Sequence, residues 1–184
     1  MTRSSLIAGS TPADAPARRP SGAAALAVAL TLHTELWAPL VEYREESRWT
    51  SLIDPAAAAA VLDPSLHAEL ADAQIWLLSW LPGQGTDVHD HGSAAGAFAV
   101  ARGTLTERVI AARVREAVHQ STTDLAAGRV RYFGAHYVHQ VRNTLGEPAV
   151  SLHVYAPALR WMNTYRVERG ALVRTGTERA GVDW

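Results

Sequence analysis

The sequence predicts a mainly β protein, a sandwich or small barrel with helices ahead of it, and three observations carry that prediction. From Gln74 onward the chain is a series of apolar and β-branched runs separated by glycine, each of strand rather than helix length. The runs recur at the regular spacing of an all-β sandwich or barrel. Ahead of them lie alanine- and leucine-rich stretches opened by Asp-Pro pairs, the pattern of short capped helices. The 184 residues fit one domain of roughly 100–150 residues with extra length at an end.

Residues 1–20, MTRSSLIAGSTPADAPARRP, hold few large apolar side chains, too few to offset the entropy of ordering them, and read as a disordered tail. Residues 21–184 then read as a single domain, with a helical segment over about 22–72 and a β-barrel over about 74–175. Leucines 26, 30 and 40 with Trp37 suit one side of a helix that Pro39 ends or kinks. Arg18 and Arg19 before GAAALAVALTL imitate a secretory signal. The stretch runs on into HTELW without a small-residue cleavage site, however, so a cytoplasmic protein is expected. Asp54-Pro55 before AAAAAVL and Asp63-Pro64 before SLHAELADA each set an N-cap ahead of a proline at the first helical position. The strands expected after them are AQIWLLSWL, TDVHDH, AGAFAVAR, GTLTERVI, REAVHQST, RVRYF, HYVHQVRN, AVSLHVYA, TYRVERG and ALVRT.

Composition narrows the chemistry. A formal net charge of −1 gives no broad basic field for phosphate backbones, and no apolar run approaches the ~20 residues that cross a bilayer. Small molecules, not nucleic acid or membrane, are the expected partners, with the protein a monomer or weak homo-oligomer. The chain has no cysteine, so a metal must be held by His, Asp or Glu. In VHDHG at 88–92 the strand period of two puts His89 and His91 on one face and turns Asp90 away. Such a pair alone is a weak signal, since chance and surface histidines explain most pairs of this kind.

Two stretches raise the metal reading, because they resemble the cupin family. Gly83, QGTDV, His89-Asp90-His91 and the later Gly103 follow its first motif, except that Ala94 and Ala95 stand where an acidic ligand belongs. Gly128, RVRYF, Gly134, His136, His139, QVR and Asn143 keep the outer spacing of its second motif, with Gly134 for a proline and His136 for a glycine. The resemblance implies a small β-barrel of jelly-roll type with His89, His91 and His139 around one metal. Ligand type alone admits Fe(II) with three open positions or tetrahedral zinc with one.

In EPAVSLHVYAPAL at 147–159, Ser151, His153 and Tyr155 alternate with Val150, Leu152 and Val154, so three polar groups share one face. Hydrogen-bonding side chains in a row on an inward face are costly unless joined to one another, which suggests a relay from hydroxyl through imidazole to phenol. With the three histidines, this segment is similar to the cysteine dioxygenase family over about residues 48–165. That resemblance implies non-haem Fe(II) that places both atoms of O2 on a small thiol to give a sulfinate. Tyr155, oriented by His153 and Ser151, would donate to bound oxygen or seat the substrate carboxylate. L-cysteine is the expected substrate, and 3-mercaptopropionate or another small thiol acid the competitor. A non-oxidative cupin, an isomerase or a small-molecule sensor, is the reading from a different class.

Two departures qualify the resemblance. Animal members join the active-site tyrosine to a cysteine; Gly96 holds that position here, so Tyr155 must act unmodified. The carboxylate anchor of the family falls in RWTSLID, where Thr50 takes the anchor position and Arg48, two residues earlier on the same strand face, is the substrate-binding candidate. The alternative for Arg48 is an exposed charge paired with Glu45 or Glu46; Arg142, Arg160 and Arg166 are further candidates for the anchor. Trp76 and Trp80 are expected in the core, His33, His67 and His119 at the surface, and His136 beside the metal ligands or at the surface.

Overall fold

The computed structural model describes residues 22–111 and 117–182. The tail expected at 1–20 therefore lies outside the described residues, as does the start of REAVHQST. Eleven strands are described: β1 (Trp49–Ile53), β2 (Gln74–Trp80), β3 (Val88–Asp90), β4 (Ala95–Arg102), β5 (Thr104–Ala111), β6 (His119–Ala126), β7 (Val130–Phe133), β8 (Val138–Arg142), β9 (Ala149–Ala156), β10 (Trp161–Glu168) and β11 (Ala171–Arg179). They form two antiparallel sheets, ordered β1-β2-β9-β4-β7 and β11-β10-β3-β8-β5-β6. This is the mainly β, two-sheet architecture behind a helical segment that the sequence predicts. One strand, β1, comes from within the span expected to be helical, because its Trp49–Ile53 backbone pairs in register with β2.

The helices are short. α1 (Ala23–Leu32) and α2 (Thr34–Trp37) are separated at His33, and a 3-10 turn follows over Ala38–Leu40, where Pro39 ends the helical run. The Asp54 carboxylate caps α3 (Pro55–Val61) by accepting from Ala56 N at 3.0 Å. The second Asp-Pro device opens a 3-10 turn, Pro64–Leu66, with Asp63 accepting from Ser65 N at 2.8 Å, before the single turn of α4 (His67–Ala71). Among the described residues no single helix is long and apolar enough to cross a membrane; α1 and the following helical turns are bent by 87°.

Packing explains why the first sheet reads as continuous apolar sequence. Leu26, Ala27 and Leu30 of α1 and the nearby Trp37 are buried against Leu77, Ala97, Ala99, Val150, Leu152 and Val154 on its outer face. Trp76, Leu78, Trp80, Phe98, Val100 and Tyr155 fill the barrel from its inner face. A sheet covered on both sides has no solvent face to alternate with, so β2 and β9 are buried almost throughout. In the second sheet, β6 is exposed at seven of eight positions. Gly103, at φ 72, makes the tight β4–β5 turn where a Cβ would meet the Pro148 carbonyl oxygen at 2.7 Å.

Candidate metal centre

The antiparallel register sets His89 of β3 directly opposite His139 of β8, and His91 follows at the end of β3. One ligand atom from each of the three lies within 4.8 Å of the others, and all three residues are buried. Their rings pack with centroids 4.7 Å (His89 and His139) and 5.0 Å (His91 with each) apart. His89 Nδ1 lies 2.9 Å from the Asp87 carbonyl oxygen, which can only accept. The ring proton therefore sits on Nδ1 and the Nε2 lone pair is free. Burial, and then the neighbouring His139 ring, pushes His89 down to about 3. Burial with the His89 and His139 charges also pushes His91 well below its usual range. An imidazole with one unprotonated ring nitrogen is what a divalent ion requires. The buried His91 Nδ1 has no hydrogen-bond partner among the described residues. Three buried ring nitrogens converging within 4.8 Å, with an orphaned polar atom among them, fit a metal better than an apolar core.

The second constellation faces this cluster from the opposite sheet. Trp80 of β2 donates its indole N–H to Ser151 Oγ at 3.0 Å, Ser151 Oγ lies 2.9 Å from His153 Nε2, and Tyr155 Oη lies 3.5 Å from His153 Nδ1. An indole only donates, so the Ser151 oxygen accepts there; the serine hydroxyl is fully buried and His153 Nε2 is the one acceptor its own proton meets among the described residues, so that proton is assigned to His153 Nε2. Burial, together with the His139 and His89 charges, keeps His153 well below its usual range, so the ring is neutral with its proton on Nδ1, facing the Tyr155 oxygen. The phenolic hydrogen is then left to point into the chamber. Burial pushes the Tyr155 hydroxyl up, opposed by Arg48, which keeps it a donor. Phe98 stacks on His153 at 5.1 Å and 13°, and Tyr155 approaches His91 at 5.4 Å between centroids.

Arg48 stands between two spaces. An inner chamber of about 20 Å³ is lined by Arg48, Leu78, Thr86, His89, His139, Val141, His153, Tyr155 and Met162. An outer vestibule of about 260 Å³ shares Arg48, Thr86, His89 and Met162 with it and adds Asp87 and Glu178. Arg48 is not an exposed charge: burial lowers its pKa, and the charges of Glu178, Tyr155 and Asp87 oppose that shift. Its Nη1 donates to the Gly85 carbonyl at 3.4 Å, and the guanidinium lies 5.8 Å from the Trp80 ring centroid. Thr50 lines neither space, and Arg142, Arg160 and Arg166 are exposed. Trp76 and Trp80 are buried; His67, His119 and His136 are exposed, and His33 is partly so.

Several site residues escaped the sequence reading. Glu107 of β5, whose side chain is fully buried, accepts from His139 Nδ1 at 2.9 Å, from Tyr137 Oη at 3.2 Å and from Arg131 Nε at 2.9 Å. Its signal was a lone Glu two residues after Leu105, on the face that Leu105 buries. Asp90, turned away from the cluster as expected, accepts from Gly92 N, from Asn163 and, at 2.6 Å, from Tyr165 Oη. Burial pushes its pKa up, but these hydrogen bonds prevail and hold it below the usual carboxylate range. Asp90 thus ties β3 to β10 and fixes the strand that carries His89 and His91.

Comparison with known proteins places the chain. Residues 65–168, more than half of it, match the family model described as cysteine dioxygenase type I. Human cysteine dioxygenase type 1 and its counterpart from Pongo abelii are each 32% identical over 90 residues, covering 45% of this chain. The match spans 44% of those relatives, under half their length. Among solved structures, an oxalate oxidase in complex with the substrate analogue glycolate superposes with a TM-score of 0.51 at 12% identity, covering 72% of this chain and 62% of that one. That likeness concerns the fold alone.

Proposed function

The chain belongs to the cysteine dioxygenase type I family, and from that premise we propose that it is an Fe(II)-dependent thiol dioxygenase acting on L-cysteine. The observation that carries the reading is the pairing of two constellations across one barrel. Three buried imidazoles converge on one sheet, and the Trp80–Ser151–His153–Tyr155 chain faces them from the other. His89, His91 and His139 would hold the metal, which when bound acidifies a thiol and supplies the redox chemistry for its reaction with O2.

The protein's own residues do the rest. Arg48, at the neck between vestibule and chamber, would take the substrate carboxylate, since a guanidinium matches that group in charge and planar geometry. Tyr155 would donate its phenolic hydrogen toward the reacting oxygen or the carboxylate, in a direction set by His153 and ultimately by Trp80. The small inner chamber leaves little room for water beside the thiol. Asp87 and Glu178 in the vestibule supply negative charge where a substrate ammonium would pass, which favours cysteine over 3-mercaptopropionate, a thiol acid with no cation.

Oxygen consumption of the metal-loaded protein with each thiol, with the sulfinate product identified by mass, tests the proposal. Uptake with L-cysteine exceeding that with 3-mercaptopropionate is expected. Uptake with the second thiol alone would move the substrate. No uptake with any thiol, together with stoichiometric zinc in protein purified without added metal, would support a non-oxidative cupin instead.

A further inference from the structure

We propose that Glu107 is a positioning residue for the metal centre: its buried carboxylate fixes the tautomer and orientation of His139 so that Nε2 is presented to the ion, and Arg131 and Tyr137 hold that carboxylate in place. The inference rests on the metal-site reading given above. The three histidines are supported unequally. His89 donates to a backbone carbonyl, and His91 stacks on Phe133 at 4.2 Å with its Nδ1 lacking a partner among the described residues. Among the described residues, His139 alone of the three meets a carboxylate, Glu107 Oε1, at 2.9 Å.

A carboxylate inside a barrel is costly unless its oxygens are filled. Here Oε1 also accepts from Tyr137 Oη at 3.2 Å, and Oε2 accepts from Arg131 Nε at 2.9 Å. Tyr137 packs edge-on against His139 at 5.3 Å between centroids, so the phenol steadies the ring as well as the carboxylate. The backbone registers explain the convergence. On β5, Val109 pairs with His139 and Glu107 with Val141, so Glu107 sits two residues along the same face as the strand position opposite His139. A negative group behind an imidazole makes its other nitrogen a stronger donor, and removing such a partner typically weakens metal affinity by about 10–100-fold.

The test measures metal binding on the full chain, with no thiol present, by competing Co(II) or Zn(II) against a chromophoric chelator. Glu107→Gln keeps an oxygen that can accept from Nδ1–H but loses the charge and turns an amide N–H toward Arg131 or Tyr137; Glu107→Leu removes both features. The dissociation constant should rise about 10-fold for Glu107→Gln and toward 100-fold for Glu107→Leu. Long-range 1H–15N spectra of the metal-free wild type should show His139 protonated on Nδ1, with the Nε2–H form gaining in Glu107→Leu. A carboxylate that served only to hold β5 would lower the melting temperature without moving either readout. Affinity within threefold of wild type for Glu107→Gln, or an Nε2–H His139 in the wild type, would overturn the proposal. If Glu107→Leu fails to fold, Glu107→Gln and the wild-type spectrum decide. His139→Ala separates the two readings: if it binds metal as tightly as wild type, the three-histidine centre itself is wrong. If it weakens binding while Glu107→Gln does not, only the role of Glu107 is lost.

Discussion

Placing a side chain at Gly96 should be harmful, although the family resemblance puts a cysteine at that position. Gly96 lies in β4 between two partners, opposite Tyr155 of β9 and Phe133 of β7. A Cβ built there would fall inside the contact distance of the Val154 carbonyl oxygen and 3.0 Å from both Val154 C and Phe133 Cζ, where ordinary contacts begin at 3.4 Å. Two of these three obstacles are backbone atoms of a central strand. The third belongs to a fully buried ring that stacks on His91. None is the free end of a flexible side chain, so β4 and β9 must separate at Tyr155. Overpacking of this kind costs about 1–3 kcal/mol. The unfolded-state entropy gained on replacing glycine offsets only about 0.4–1 kcal/mol of that. We expect Gly96→Ala to lose about 1–2 kcal/mol in urea unfolding of the metal-free protein, and Gly96→Cys more, toward 3 kcal/mol. At this chain length that is a drop of roughly 2–4 °C in Tm per kcal/mol. The cysteine variant should also show no loss of two hydrogens in intact mass after turnover with thiol and O2. Wild-type stability for Gly96→Ala, or a Cys–Tyr crosslink formed at unchanged stability, would refute the argument that this barrel has closed in on a bare glycine.

Three other outcomes follow from the same geometry. Metal-free protein should be fully stable above pH 6.5 and lose stability as pH falls from there toward 3, because the unfolded chain takes up protons that buried His89, His91 and His153 refuse. Each contributes about 1.4 kcal/mol per pH unit, so urea midpoints should fall steeply between pH 6.5 and 5.5, and a flat profile there contradicts the neutral cluster. Arg48→Met should raise KM for L-cysteine about 10–100-fold with a smaller change in kcat, as expected for a lost charge-assisted hydrogen bond; an unchanged KM removes Arg48 as the anchor. Tyr155→Phe should bind metal as wild type does but turn over about 10–100-fold more slowly, and Trp80→Phe should share that phenotype at about 10-fold or less. A fully active Tyr155→Phe would end the role assigned to the phenol.

How much of this site could be read in advance depends on whether its partners are local in sequence. His89 and His91 share a strand face, and so do Ser151, His153 and Tyr155; a period of two is enough to see both groups. His139 needed the spacing of a known motif, since its place opposite His89 is a matter of register between β3 and β8. Glu107 could be seen as a charge on an inward face, but its meeting with His139 requires the β5–β8 pairing across 32 residues. Arg48 was visible only as a candidate, because Glu178, which lines the vestibule with it, comes from the far end of the chain. The helical segment concealed β1 for a related reason: Trp49–Ile53 is a strand because β2 pairs with it.

Trp80 shows most directly what long-range structure adds. The sequence implies that serine, histidine and tyrosine form a relay, but three groups that can each donate or accept have no inherent direction. The indole, 71 residues before Ser151, can only donate, so it fills one Ser151 lone pair and leaves the buried serine hydrogen His153 Nε2 as its one acceptor among the described residues. With the serine proton on His153 Nε2, the ring proton falls on Nδ1 and the phenolic hydrogen of Tyr155 is the one left for the chamber. With no cysteine available to pin the tyrosine covalently, the orientation of the phenol depends on this non-covalent chain and on the Phe98 and Phe133 rings beside it. The long 3.5 Å contact between His153 and Tyr155 is its weakest link, the one that substrate binding has most scope to tighten.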